Sequence, residues 1–393
     1  MSSPDTPQLG IERLRIRNYR VLRDVTFEPL TSMTALVGAN GTGKSTVFDA
    51  LRFLQQAVSG GLAAPWDERG GLAEIRSREA VGPVEIELTC RIDLERFHYR
   101  LAVDEDEGTP VVRAEELTWE DTRQPVPGAE SLLSFNGGTG TLAGSGSAEP
   151  ASLSSPDVLA VAVFGQLDVH PHIVRFRRFV TRCRLSNLDI ERIRAGNGSS
   201  RKTARLSTTG DNLATVVLHL RERKSEVWEP VIRELRRYVP GLADVVPERL
   251  GDGRDIVRIK EEGADEPILP VNISEGTLKL LGYLVALREP ASVLLLEEPE
   301  NQVHPRLHYL LAEAARSSAE SGQVIVATHS PRLVDAMRPE EVWVLYRAED
   351  GYAQAQRAAD MPRLVDMVEA GGALGDLWTE GYFSVGDPLT GRS

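Results

Sequence analysis

Apolar and polar positions alternate from residue 11 to residue 37. The runs IERLRIR, DVTFEP and MTALV, with turn-like residues between them, predict three strands. At Lys44 the period changes. Val47, Leu51 and Leu54 fall on one face and predict a helix from Lys44 to Val58. GGLAAPWDERGG then reads as a loop, rich in glycine and polar residues. VEIELTCRI, RFHYRLAV and PVVRAEELTW alternate or carry β-branched residues, which predicts an antiparallel meander. By composition, NGGTGTLAGSGS (Asn136 to Ser147) is a flexible loop or hairpin tip.

From Pro171 to Arg237 the pattern is helical and charged, broken by the AGNGSS loop. Gly196, Gly198, Gly210, Pro230 and Pro240 interrupt any heptad run, so a compact helical lobe is expected rather than a long coiled-coil arm. The last third alternates. A helix from Ser274, the strand VLLLE, a helix after Pro305, the strand QVIVAT, another helix and the strand EVWVLYR predict a mostly parallel α/β core. The expected fold class is α/β: a mixed sheet core with an antiparallel β subdomain and a helical lobe. The expected divisions are 1–170, 171–270 and 271–393. No internal repeat is visible.

Composition narrows the class without naming a function. Of 393 residues, 41% are hydrophobic and 26% charged, as in ordinary soluble globular proteins. The longest apolar runs, such as Val293 to Leu296, fall far short of a membrane span. MSSPDTPQLG has neither the basic region nor the apolar core of a signal peptide, so a cytoplasmic protein with no membrane partner is expected. Cys90 and Cys183 are too few for a disulfide framework or a zinc site. Net charge is −13, against a protein that coats nucleic acid with its whole surface. The charge is uneven, however. Between Pro171 and Ser207 lie Arg175, Arg177, Arg178, Arg182, Arg184, Arg192, Arg194, Arg201, Lys202 and Arg205, opposed only by Asp189 and Glu191. That segment is +8 and the remainder −21, so residues 171–205 are a candidate DNA-binding face, with a solvated helical face as the alternative.

Two segments carry chemistry. Val37-Gly-Ala-Asn-Gly-Thr-Gly-Lys-Ser-Thr46 matches the phosphate-binding pattern G-x-x-x-x-G-K-[ST] between a predicted strand and a predicted helix. Gly38, Gly41 and Gly43 let the backbone curl so that N–H groups, from Asn40 through Thr42 to Thr46, point at phosphate oxygens. Lys44 would reach the β- and γ-phosphates of ATP, and the Ser45 hydroxyl would ligate Mg²⁺. The second segment is Val293-Leu-Leu-Leu-Glu-Glu-Pro-Glu300, a buried strand that delivers acids to a sheet edge where ligands bind. Glu297 can hold Mg²⁺ through water, and Glu298 can orient and deprotonate the attacking water.

NISEGTLKLLGYL, LLLEEPENQVHP and VIVATHSPRLVD, in that order after FEPLTSMTALVGANGTGKST, resemble the RecF/SMC/OLD-type ABC ATPases. The likeness is greatest to small stand-alone bacterial ATPases of that group, and runs from about Leu14 to Arg347. It implies an ABC-head fold. It also implies that Ser274, Glu275, Gly276 and Thr277 are the signature that caps the ATP of a second subunit. Glu300 and Asn301 would form the D-loop, and His329 the switch histidine at the γ-phosphate. Tyr19 or Arg20 occupies the region where such heads hold adenine. The chain departs from the group in having Glu297-Glu298 where Asp-Glu is commonest, which suggests slow turnover. For the Q-loop glutamine, Gln166 is preferred over Gln55 and Gln56. His304-Pro305 reads as a helix opening. Ser274 also suits a helix N-cap, which is compatible with the signature role.

The 64 residues after His329 contain no D-x-D, so a Toprim nuclease is not expected there and any cutting would come from a partner. The leading expectation is an ATPase whose ATP-bound homodimer drives DNA repair or anti-phage defence. A nucleotide-gated module controlling an effector protein is the alternative, and a transporter ATPase subunit is the third reading.

Overall fold

The three early strands form, and they divide between two sheets. In the computed structural model, which describes residues 8–124, 128–143, 148–196 and 205–386, β1 (Leu9–Tyr19) and β2 (Leu22–Phe27) pair antiparallel, whereas β3 (Met33–Val37) joins a different sheet. Every residue of β3 is buried, as suits a strand covered on both faces. Then comes α1 (Lys44–Gly60), burying Val47, Phe48, Leu51, Phe53 and Leu54. The glycine-rich stretch expected to be a loop instead holds α2 (Ala63–Glu68) and α3 (Gly71–Ile75). Buried Trp66 anchors α2, its ring 6.2 Å from that of Phe53. Helices of six and five residues leave no readable period in a sequence.

The expected meander is present as β4 (Val84–Ile92), β5 (Glu95–Asp106) and β6 (Thr109–Asp121). It continues through β7 (Glu130–Asn136), β8 (Thr139–Ala143) and β9 (Ala148–Ser152) into an eight-stranded sheet of order β2-β1-β4-β5-β6-β7-β8-β9. Gly137 and Gly138 turn the β7–β8 hairpin, while residues 144–147 of the same glycine-rich run lie outside the described residues. Phe97 and Tyr99 on β5 pack on Phe176, with Tyr99 and Phe176 ring centroids 4.9 Å apart. Phe176 belongs to α5 (Pro171–Thr181), which with α4 (Ala160–Phe164) also packs on α1. The carboxylate of Glu115, fully buried in β6, accepts from the N–H groups of Ala160 and Val161 and from the Tyr99 hydroxyl, and so holds the start of α4.

The middle of the chain is less purely helical than its pattern suggests. β10 (Arg184–Ser186) precedes α6 (Ile190–Ala195), α7 (Leu213–Arg223) and α8 (Ser225–Tyr238), and a hairpin of β11 (Leu242–Arg249) and β12 (Asp255–Glu261) packs on α7 and α8. The remaining elements are α9 (Glu275–Arg288), β13 (Val293–Glu297), α10 (His308–Ser318), β14 (Gln323–Ala327), α11 (Pro331–Val334), β15 (Val342–Arg347), β16 (Ala353–Arg357), α12 (Pro362–Glu369) and α13 (Leu374–Thr379).

The second sheet has the order β10-β13-β14-β3-β15-β16. Its first five strands are parallel and β16 is antiparallel. Alternate residues feed two cores. Leu294, Leu296, Val324, Val326, Ala35 and Val344 face α7 to α10. Leu295, Ile325, Leu36 and Leu345 face α1 and the antiparallel sheet. The side chain of Gln323, at the start of β14, joins the two sheets. Its Oε1 accepts from Ile11 N–H at 2.8 Å, and its amide donates to Ile11 O at 2.8 Å and Thr31 O at 2.9 Å. No helix among the described residues is long and apolar enough to cross a membrane.

Candidate nucleotide-binding site

Five parallel strands end at one edge, and each hands over a candidate residue there. β3 leads into Gly38, β13 ends at Glu297, β14 leads into Thr328 and His329, β10 leads into Asn187, and β15 ends at Arg347. The carboxyl edge of a parallel sheet is where such folds bind ligands, because the connecting loops and helix N-termini open toward it.

The loop after β3 is wedged in place. A Cβ on Gly38 (φ 146°) would sit 2.2 Å from the carbonyl oxygen of Leu345, and one on Gly43 (φ 111°) would sit 3.0 Å from Val21 Cγ1. Only glycine fits at either position. Gly43 leaves the N-terminus of α1 without a side-chain cap, and no acid stands in its first turn. An uncapped helix start with free N–H donors suits an anion. Asn40, Gly41 and Ser45 are exposed at the lip, Thr42 is buried with its hydroxyl on Ala39 O at 2.9 Å, and Thr46 is half-buried. Lys44 is buried, and its Nζ donates to Gly38 O at 2.8 Å and Ala39 O at 3.1 Å. Burial pulls its pKa down to about 8, opposed by Glu298, Glu300 and Glu297.

The acids after β13 face this loop. Glu297 Oε2 accepts from the Asn187 side-chain amide at 2.8 Å, and its backbone carbonyl accepts from the Tyr283 hydroxyl at 2.9 Å. Glu298 adopts the left-handed region (φ 44°), a strained conformation for a non-glycine residue and one typical of functional turns. Its Oε1 lies 3.6 Å from His329 Nε2, and its other oxygen accepts from Asn301. Glu300 is buried and accepts from the Thr328 hydroxyl at 2.6 Å and from His329 N–H at 2.8 Å, which fixes the turn that presents the histidine. Burial and nearby Lys44 lower the His329 pKa, so the imidazole is neutral at neutral pH and can accept or donate one hydrogen bond.

The signature segment is built separately. Ser274 is the N-cap of α9, its Oγ accepting from Thr277 N–H at 3.1 Å. A Cβ on Gly276 would lie 2.7 Å from Gln302 O. The Gln302 amide in turn donates to Glu275 at 2.7 Å, and Arg194 on α6 donates to Ile273 O at 3.0 Å. Among the described residues, no hydrogen bond joins Ser274 or Gly276 to Lys44 or Ser45 of the same chain.

Oxygen donors suit Mg²⁺, which is usually held by one or two protein groups plus phosphates and waters. The Ser45 hydroxyl and the Glu297 carboxylate are oxygen donors of that kind, and the Asn187 amide braces Glu297. No cluster of three or more His, Cys, Asp or Glu side chains among the described residues could hold a metal alone.

Four sequence expectations change. Gln166 is exposed just after α4 with its side-chain amide donating to Ala162 O, and the side-chain amide found beside Glu297 is that of Asn187. Tyr19 is fully buried, its hydroxyl on Asp49 at 2.7 Å, and so offers no face to adenine. Arg20 is turned to Asp49 at 2.9 Å. The basic segment is not one face. Arg184 is half-buried and paired with Glu289, Arg194 serves Glu191 and Ile273, and Arg175 pairs with Glu95. Arg178 and Arg182 remain exposed, while Arg201 and Lys202 lie outside the described residues.

The family described as "AAA domain, putative AbiEii toxin, Type IV TA system" matches residues 33–335, which spans the loop after β3, the signature segment, the acids after β13 and His329. The chain belongs to this family. Its fold is that of the RecF/SMC type of ABC ATPase. A solved SMC head bound to the C-terminal winged-helix domain of ScpA is 14% identical and superimposes with a TM-score of 0.50, over 89% of this chain and 99% of that one. The SMC head domain from Thermotoga maritima (14% identical, TM-score 0.41, 89% and 99% covered) and an SMC head with extended coiled coil from Pyrococcus furiosus (13%, 0.48, 92% and 99%) are also similar. No curated protein matches the chain in sequence.

Proposed function

We propose that this chain is a Mg²⁺-dependent ATPase that closes as a head-to-tail homodimer on ATP and couples the cycle to DNA repair or anti-phage defence through a partner. The observation that carries the reading is the convergence of Lys44, Ser45, Glu297, Glu298 and His329 at one sheet edge. The roles follow from chemistry. Lys44 and the N–H groups from Gly41 to Thr46 hold the phosphates, and Ser45 with Glu297 would hold Mg²⁺, which neutralises phosphate charge. Glu298 takes the proton of the attacking water, and neutral His329 hydrogen-bonds the γ-phosphate and steadies Glu298. Ser274 and Gly276, unbonded to the phosphate loop of their own chain, are offered to the ATP of a second copy. Arg178, Arg182 and Arg205 are exposed cations of residues 171–205 that would meet DNA phosphates, and a separate effector or nuclease would do any cutting.

The test is ATP hydrolysis with and without Mg²⁺ and with added duplex DNA, beside Lys44→Ala. Wild-type turnover should need Mg²⁺, and Lys44→Ala should lose at least about tenfold in affinity or rate, roughly 1.4 kcal/mol. Unchanged turnover in folded Lys44→Ala would refute the site. DNA affinity should fall steeply with salt and fall again in Arg178→Glu/Arg182→Glu. No DNA binding at low salt with ATP present would remove DNA from the proposal and leave a protein effector.

A further inference from the structure

Arg347 ends the fifth strand at the ligand edge, and none of the roles above employs it. Its Nε–H donates to Gly41 O at 2.8 Å, and its Nη1 donates to Gly351 O across the turn between β15 and β16. Among the described residues no carboxylate pairs with it. An exposed arginine ordinarily serves carboxylates, phosphates or water. This one is spent on a carbonyl of the phosphate loop.

Peptide geometry says what that bond does. In a trans peptide the Gly41 carbonyl and the Thr42 N–H point in opposite directions. With the carbonyl drawn out to Arg347, the Thr42 N–H is turned into the loop, where its bond to Ala39 O is a long 3.4 Å. The donor is therefore aimed inward and weakly used.

Packing does not wedge the Gly41 side of this peptide, although Thr42 is buried with its hydroxyl on Ala39 O. Gly38 and Gly43 are wedged against Leu345 O and Val21, but a Cβ on Gly41 would meet nothing within 4 Å. Gly41, at φ 76°, is the glycine of the loop that no neighbour wedges, so the Arg347 bond is the contact that fixes its carbonyl. The anchor is itself fixed. The Tyr352 hydroxyl donates to Arg78 O, Ala353 N–H donates to Val21 O at 3.0 Å, and Arg23 covers the Tyr352 ring at 4.9 Å. Thus the β15–β16 turn is tied to the antiparallel sheet.

We propose that Arg347 is a positioning residue for nucleotide binding, holding the Gly41–Thr42 peptide with its N–H toward the phosphates. This rests on reading Gly38 to Thr46 as the ATP site. A preset N–H contributes to binding without first being reoriented, so its loss should weaken every nucleotide that places a β-phosphate in the loop.

The experiment measures affinity for fluorescent ATP and ADP analogues, with KM and kcat for ATP, in R347A, R347K and R347Q, with K44A as control. R347A should weaken ATP and ADP alike, by about tenfold. KM should rise while kcat at saturation stays within about twofold, and R347K should recover most of the loss. Wild-type affinity in R347A, with binding lost in K44A, overturns this inference alone. Wild-type affinity in both variants overturns the ATP site itself. A loss confined to ATP would mean contact with the terminal phosphate, which also overturns the positioning role. If R347A does not fold, R347K near wild type with R347Q weakened is the expected result, and equal affinities in those two overturn it.

Discussion

Asn187 donates its side-chain amide to Glu297 at 2.8 Å, across the seam between the three-residue edge strand β10 and the central strand β13. The bond holds one carboxylate oxygen and leaves the other unbonded among the described residues. In the proposed site Asn187 would thus orient Glu297 toward the metal's water, as donors behind metal-holding carboxylates do. Asn187→Ala should therefore raise the Mg²⁺ concentration for half-maximal hydrolysis by about tenfold, within the usual 10–100-fold range. ATP binding without Mg²⁺ should be unchanged. A Mg²⁺ titration of the rate checks this, and an unaltered titration would separate Asn187 from the metal.

Contiguous motifs were legible in the sequence, and distant partners were not. Gly38 to Thr46 lies on one turn between strand and helix, so its geometry follows from neighbours within ten residues. VLLLEE announces a buried strand ending in acids. β10 is only Arg184 to Ser186, too short to show a period, so the asparagine after it carried no signal and Gln166 was preferred. Arg184 counts as a surface cation until its partner is known, and that partner, Glu289, lies 105 positions away. Tyr19 fails for the same reason, because Asp49 and Arg69 claim its hydroxyl.

Lys44 gives the site a pH signature. Its pKa in the folded chain is about 8, below the 10.5 of a free lysine, because burial disfavours its charge. Below pH 8 both folded and unfolded chains carry the proton, and the fold bears the cost of a buried charge. Between pH 8 and 10.5 the unfolded chain binds more protons, so this residue's contribution to stability rises with pH across that window. Nucleotide binding runs the other way. Phosphates favour the ammonium, so ATP binding should take up protons above pH 8, and affinity should fall by up to about tenfold per pH unit there. Calorimetry in buffers of different ionisation enthalpy measures the uptake. Lys44→Met should abolish it, and equal uptake in that variant would place the titrating group elsewhere.

Gly276 touches the segment after the acids, since a Cβ there would lie 2.7 Å from Gln302 O. Backbone cannot yield as a flexible side chain can. Gly276→Ala should push α9 from residues 299–302 and cost about 1–3 kcal/mol, as overpacking does. Because Glu298 and Asn301 share that segment, turnover should fall as well. Urea denaturation beside a hydrolysis assay reads both effects. Wild-type stability and rate in Gly276→Ala would show that the two segments move freely past one another.

The homodimer is tested by Glu298 and Ser274 together. Glu298→Gln keeps the shape beside Asn301 and His329 but removes the base proposed for the attacking water. Hydrolysis should stall with ATP in place. A nucleotide shared between two chains stabilises the closed form by mass action, so closed dimers should accumulate. By light scattering with ATP and Mg²⁺, the mass should move from 43.1 kDa toward about 86 kDa. Ser274→Arg puts a bulky side chain where the proposed homodimer would seat the partner's γ-phosphate, and in the double variant the shift should vanish. That substitution also removes the N-cap bond to Thr277 N–H, at a cost of about 1 kcal/mol. Ser274→Asp supplies the control. It keeps a capping oxygen but sets a negative charge against the partner's phosphates, so it should preserve the melting temperature and still block closure. If folded Glu298→Gln binds ATP and stays wholly monomeric, or hydrolyses at the wild-type rate, the roles assigned to these two residues are wrong. If Ser274→Asp closes as readily as Ser274 itself, the signature segment does not meet the second nucleotide.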